Sequence, residues 1–250
     1  MCAEKTLSGC GHPAIVGVLG GMGPHATAAF FLRLIRRTPA TCDQEHLHVL
    51  IDNDPGIPDR TAAILGDGAS PLTRMLAAAQ RLAAAGATLI AMPCNTAHVW
   101  LEELRRGVDV PIVDMVEETS RAAAQAAPAS ADVGLLATTG TVRSGLYART
   151  LERLGRRLIV PTEEDQRVVA AAIARVKADD AVPRGALVGV CERLVDRGAA
   201  GLILGCTEIP LVLSSGDVAV AIFDSMDLLA RSVVKRCTGG SERTGSFGGE

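Results

Sequence analysis

Short apolar runs alternate along the chain with longer stretches whose apolar residues recur at helical spacing, and this rhythm predicts a parallel α/β protein. Ile15-Val16-Gly17-Val18-Leu19 reads as a buried strand. It is followed by Gly20-Gly21-Met22-Gly23-Pro24 and by a helix expected to turn Phe31, Leu32 and Ile35 inward, with Pro24 at its first position. Residues 47–52 form a second strand, and the Pro- and Gly-containing run 53–60 must be a loop. Ser70 and Pro71 open a helix with Leu72, Met75, Leu76, Ala79 and Leu82 on its inner face, and Gly86 closes it. Strand 89–92 then runs into Cys94, a helix over 95–106, a strand over 110–113, and a helix that Asp114 and Glu117 would cap.

From there the pattern restarts. Residues 133–141 can be laid over 16–24 position by position, Cys206 with its preceding apolar run repeats Cys94, and Ile222-Phe223-Asp224 repeats Ile112-Val113-Asp114. Between these landmarks come a helix carrying Tyr147, Leu151 and Leu154, a strand over 158–160, and two helices marked by Val169, Ile173 and Val176 and by Leu187, Val190, Cys191 and Leu194. Three landmarks in one order, 110 to 117 residues apart, indicate an internal duplication. The expected fold is therefore two pseudo-symmetric parallel-sheet α/β lobes with the active site in the cleft between them. The first lobe should span 14–112 and the second 113–225, with a helix at about 226–237 packing back on the first. Residues 1–13 and 238–250 read as flexible tails.

Composition narrows the function. The chain has 250 residues, 48% of them hydrophobic, a net charge of −3 with both signs interspersed, and no basic stripe for nucleic acid or polybasic patch for membranes. No apolar run reaches the length of a membrane span and no signal-like core opens the chain, so a cytoplasmic location is expected. The seven cysteines show no C-x-x-C and no zinc-type spacing, which fits a reducing compartment and predicts no metal.

In parallel sheets ligands bind beyond the carboxyl ends of the strands, where Cys94, Cys206, both Gly/Thr loops and the Arg60 loop all fall. A thiol at the start of a helix has its thiolate favoured by the free backbone N–H groups. Cys191, at helical spacing, reads instead as core. Two opposed thiols suit removal of a proton from one face of a carbon and return on the other, which is racemisation without a cofactor. Asn95, Thr96, Thr138, Thr139, Thr207 and loop N–H groups could hold the adjacent carboxylate, although helix capping accounts for each singly as well. His98, one turn beyond Cys94, could tune that thiol or satisfy backbone groups. Gly21-x-Gly23-x-x-Ala26 is like a dinucleotide fingerprint, but the acidic residue that should follow is misplaced at Asp43 and Asp52.

With Gly20-Gly21-Met22-Gly23-Pro24, Ile57-Pro58-Asp59-Arg60-Thr61, Pro93-Cys94-Asn95-Thr96-Ala97-His98 and Leu204-Gly205-Cys206-Thr207-Glu208 in order, the chain resembles the aspartate/glutamate racemase family, and within it the aspartate racemases. The resemblance implies a pyridoxal-independent, two-cysteine racemase, no cofactor, an amino acid substrate and a homodimer. It implies Cys94 and Cys206 as catalytic residues and a basic pair, Arg60 and Lys177, for the side-chain carboxylate. Met22, Asn95, Thr96, Thr138, Thr139, Thr207 and Glu208 complete the expected substrate-binding set. The alternatives are a glutamate or broad-specificity racemase, a related maleate isomerase or hydantoin racemase, and a two-lobed amino acid binder without catalysis.

Overall fold

The computed structural model describes residues 14–126 and 131–240. The expected tail over 1–13, and all of the other beyond residue 240, lie outside the described residues. Strands β1 (Ile15–Gly20), β2 (His48–Asn53) and β3 (Leu89–Ala91) form one parallel sheet in the order β2-β1-β3. Strands β4 (Asp132–Ala137), β5 (Leu158–Ile159), β6 (Ala199–Gly205) and β7 (Ala221–Asp224) form a second, in the order β5-β4-β6-β7. The first sheet has the counterpart of β7 only as a single parallel bridge, Ile90 to Ile112, so the strand expected over 110–113 shrinks to one rung. Both sheets thus share one order.

The central strands are apolar because helices cover both of their faces. Val16 and Val18 enter one core and Leu19 the other, and β4 divides Val133 and Leu135 from Leu136 in the same way. A glycine sits at the same point of each: a Cβ on Gly17 would meet Ala87 Cβ at 3.0 Å, and one on Gly134 would meet Ala199 Cβ at 3.2 Å. Each would also meet the Cβ of a helical leucine, Leu82 at 3.2 Å and Leu194 at 3.5 Å, so the duplication extends to how closely helix and strand approach.

Helix α1 (Pro24–Arg37) buries Ala26, Phe30 and Leu34, not the Phe31, Leu32 and Ile35 face expected from the sequence; Leu32 is 51% exposed. Phe30 and Leu34 join Val16, Val18 and the last helix in one core, and that packing sets the face. Helices α2 (Arg60–Leu65) and α3 (Leu72–Ala84) follow β2. The helix expected over 95–106 begins as a 3-10 turn, Thr96–Trp100, and becomes α4 (Leu101–Gly107). Helix α5 (Met115–Ala126) is capped by Asp114, whose Oδ1 accepts from Glu117 N at 2.9 Å.

In the second half α6 (Thr139–Ser144) and α7 (Leu146–Arg153) precede β5, and α8 (Glu163–Lys177) and α9 (Arg184–Asp196) precede β6. Helix α10 (Ser225–Cys237) is capped by Asp224. It returns to the first sheet, where Met226, Leu229 and Val233 share a core with Phe30 and Leu34, each such burial being worth about 1.5–3 kcal/mol. Arg37 grips Asp227 with two bonds of 2.9 and 2.7 Å. Conversely, Val116 and Ala123 of α5 pack with Val133, Leu135 and Phe223 of the second sheet. Among the described residues no helix is long and apolar enough to cross a membrane.

Candidate active site

Cys94 follows β3 after a tight turn in which Cys94 N donates to Met92 O at 2.8 Å, and Cys206 directly follows β6. Both thiols line one cavity between the halves and are almost wholly buried, at 6% and 5% exposure. Both are free, as are Cys191 and Cys237, whereas Cys42 is disulfide-bonded. Met22, Arg60, Asn95 and Thr96 line the same cavity, and Thr138, Lys177, Thr207 and Glu208 do so from the second half. Thr139 does not; it opens α6, where its hydroxyl accepts from Gln166 Nε2 at 3.4 Å.

The loop after β1 is shaped by close approach. A Cβ on Gly20 would meet Thr27 Cγ2 at 2.5 Å, and Gly21, with φ +88°, would strike the Asp54 backbone. Thr27 Oγ1 accepts from Gly21 N at 2.9 Å and donates to Gly23 O at 3.0 Å, which fixes Met22 over the cavity. The loop that carries Arg60 is braced by Arg74, whose guanidinium holds Asp54 at 2.9 and 3.1 Å.

Arg60 is 8% exposed and ion-paired to nothing among the described residues. It donates to the carbonyls of Ile57 at 3.1 Å, Pro58 at 3.0 Å and Met22 at 3.4 Å. A buried guanidinium without a carboxylate is an anion site in waiting. Lys177 closes α8 above the same cavity. Outside it lies a wider vestibule lined by His25, Pro55, Asp59, Arg60, Lys177 and Glu208.

The two thiols have unequal neighbours. Two residues beyond Cys94 stands Thr96, whose hydroxyl lies 2.9 Å from both Thr138 and Thr141; these two are 3.0 Å apart, so three hydroxyls close a triangle across the halves. Two residues beyond Cys206 stands Glu208, whose Oε2 accepts from Cys206 Sγ at 3.0 Å and from Thr207 Oγ1 at 3.0 Å. Burial first, and then the Glu208 charge, push the Cys206 thiol well above its ordinary value; Lys177 opposes this.

His98 is turned from the thiols. Its Nε2 accepts from Met115 N at 3.1 Å, which leaves Nδ1 protonated and donating to Cys94 O at 2.9 Å. Burial lowers its pKa, with Asp114 acting against the shift. Of the two readings open in the sequence, the backbone one is what this geometry supports: His98 is a strut between the Cys94 loop and α5.

Asn95 is similarly occupied. Tyr147 Oη donates to Asn95 Oδ1 at 2.6 Å, and Asn95 Nδ2 donates to Ser225 Oγ at 3.0 Å, leaving one amide hydrogen uncommitted. Burial pushes the Tyr147 phenol up, so it stays a donor.

Sequence reasoning missed Asp59 and Thr61, which line the cavity, and Thr141, Tyr147 and Ser225, which support it. Asp59 caps α2 by accepting from Ala62 N at 2.8 Å. Thr141 was accessible through its alignment with Pro24 in the repeat. Tyr147 and Ser225 carried no local signal, being 52 and 130 positions from Asn95. Among the described residues no three His, Cys, Asp or Glu side chains converge as a metal site requires. Space for a water-sized sphere at the thiols is about 10 Å³, room for roughly one water and too little for an amino acid.

Comparison with known proteins places this geometry among relatives. The profile of the family described as Asp/Glu/hydantoin racemase matches residues 19–233. The chain is 30% identical over 227 residues to the broad specificity amino-acid racemase RacX of Bacillus subtilis (strain 168), covering 88% of this chain and 96% of that one. It is 33% identical over 157 residues to the glutamate racemase of Corynebacterium kroppenstedtii, covering 62% of this chain and 53% of that protein. Among solved structures it is similar to the Picrophilus torridus aspartate racemase, with a TM-score of 0.81, 32% identity, and coverage of 92% and 95%.

Proposed function

The chain belongs to the Asp/Glu/hydantoin racemase family, and on that basis we propose that it interconverts the enantiomers of an acidic amino acid, aspartate foremost, by proton transfer between two thiols. The observation that carries this reading is that Cys94 and Cys206 line one buried cavity together with Arg60, an arginine without a carboxylate partner among the described residues.

In this mechanism one cysteine, as thiolate, removes the Cα proton, and the other, as thiol, delivers a proton to the opposite face. The negative charge that develops on the α-carboxylate needs donors already in place. Thr96, Thr138 and Thr207, the remaining amide hydrogen of Asn95 and the N–H groups beside the two cysteines are suited to that role. The side-chain carboxylate would meet Arg60 and Lys177, with Met22 packed against it and Thr139 acting only through α6. Such a division requires no pyridoxal phosphate or metal. Because the cavity holds about one water, substrate entry requires the halves to part and re-form over it.

Aspartate is favoured over glutamate by the similarity to an aspartate racemase over nearly the whole of both chains. Broad specificity is the second reading, favoured by the similarity to RacX over 96% of its length. We further propose a homodimer in the cytoplasm, with lobes divided near residues 112 and 225. The test is chiral separation of products after incubation with each enantiomer of aspartate, glutamate and several neutral amino acids without added pyridoxal phosphate. Aspartate turned over fastest supports the leading reading. Comparable rates on neutral amino acids favour the second, and no racemisation of any amino acid removes both.

A further inference from the structure

Superposing the two halves in sequence sets Thr96 against Glu208, each two residues after a cysteine. Thr96 turns its hydroxyl to Thr138 and Thr141 of the opposite half. Glu208 also faces the opposite half, its Oε1 lying 3.7 Å from where a Cβ on Gly23 would stand. A neutral hydroxyl in one half is therefore replaced by a carboxylate in the other. That carboxylate is 3% exposed, yet it forms no ion pair among the described residues, and its hydrogen bonds come from the Cys206 thiol and the Thr207 hydroxyl. It also lines both the inner cavity and the vestibule, touching the reacting thiol on one side and the way out on the other. Substrate binding alone does not explain this carboxylate, since one that met only the substrate's ammonium group would have no need to accept a hydrogen bond from the Cys206 thiol.

We propose that Glu208 is a proton relay and positioning residue for Cys206, holding that cysteine as the resting thiol and exchanging its proton with solvent through the vestibule. This rests on the two-thiol reading above. When Cys206 gives its S–H proton to Cα, a thiolate is left beside the carboxylate. Glu208, protonated from vestibule water, gives that proton to sulfur and returns to carboxylate. In the other direction the Cys206 thiolate takes the Cα proton as S–H, passes it to the Glu208 carboxylate, and the carboxylic acid releases it to water. No electron pair leaves either residue. The groups facing Glu208 are Cys206 itself, Lys177 from the end of α8, Asp59 and Arg60 from the start of α2, His25 from α1 and Cys94 across the cavity. The asymmetry gives the free enzyme one defined resting state, in which Cys206 keeps its proton as the donor to Glu208.

The first test uses the unaltered protein. Iodoacetamide alkylation of Cys94 and Cys206 is followed by peptide mass mapping across pH. Cys94 should react with a midpoint at least one pH unit below that of Cys206, and coincident midpoints would overturn the proposal. This outcome does not depend on racemase activity, so it separates failure here from failure of the functional reading. The second test compares Glu208→Gln and Glu208→Thr with the parent in both directions of turnover. A relay is worth about 100-fold in kcat, the lower end of general acid–base effects, with KM within about 3-fold, and Cys206 alkylation should rise in both variants. Unchanged kcat, or a change confined to KM, would make Glu208 a binding group and end the relay assignment.

Discussion

Tyr147 Oη donates to Asn95 Oδ1 at 2.6 Å, and the same asparagine donates to Ser225 Oγ at 3.0 Å, whose hydroxyl in turn donates to Leu204 O at 2.7 Å. The residue next to Cys94 is thereby tied to α7, to the start of α10 and to the strand that leads to Cys206. Tyr147→Phe would leave a buried carbonyl oxygen without its donor, at a cost of about 1–3 kcal/mol. Thermal unfolding should show a loss of several degrees, accompanied by a fall in kcat as the Cys94 loop loosens. An unchanged melting temperature would mean the bond contributes nothing.

His98 makes stability depend on pH. Burial holds its folded pKa below the ordinary value near 6.5, so the unfolded chain binds this proton more readily than the folded one. The associated stability is therefore complete above about pH 6.5 and is lost as pH falls through that value toward the lowered folded one, with a slope of up to about 1.4 kcal/mol per pH unit. Denaturant unfolding across pH 5 to 8 should show this slope, and His98→Gln should reduce it by close to one proton. Identical slopes in the two proteins would remove His98 from the linkage.

Closure of the cleft can be wedged at one point. A Cβ on Gly140 would stand 2.9 Å from Thr61 Cα and 3.2 Å from Thr61 Cβ, where α2 and α6 meet across the halves. Gly140→Ala should leave each sheet intact while holding the halves slightly apart. Steady-state kinetics should show KM raised and kcat lowered together, by about 10-fold or more for a misplacement near 1 Å. Circular dichroism should remain that of the parent, and parental kinetics would show that the contact is not needed for turnover.

Arg60 separates acidic from neutral substrates. With three of its donations going to backbone carbonyls, its position does not depend on ligand. Arg60→Ala removes a charge-assisted contact worth about 1.5–3 kcal/mol per hydrogen bond. The kcat/KM for aspartate should fall at least about 10-fold while that for a neutral amino acid changes little. Equal losses on both would assign Arg60 to loop structure alone.

Much of this architecture is legible in the sequence. The apolar strands, the glycines that end helices and the repeat 110 to 117 residues apart specify two like sheets, because each rests on a local rule of spacing or sterics. The thiols stood out for the same reason: each follows an apolar strand and precedes a polar turn. What stayed hidden depends on partners distant in sequence. Phe31 and Leu32 satisfied helical periodicity as well as Phe30 and Leu34 do, and only the return of α10 selects the second pair. In the sequence Asn95 reads equally as a carboxylate holder or a helix cap, and its bonds to Tyr147 and Ser225 depend on residues far along the chain. Thr139 lost its place because helix α6 turns it toward Gln166.

The division of labour between Cys94 and Cys206 is tested most directly by Cα hydrogen exchange in D2O, with L- and D-aspartate offered separately to the unaltered protein and to Cys94→Ala and Cys206→Ala. The unaltered protein should deuterate Cα and yield both enantiomers from either one. Each variant should lose racemisation, and the two should retain exchange on opposite enantiomers, since each keeps a base on one face only. Racemisation at the unaltered rate in either variant would contradict the two-thiol account.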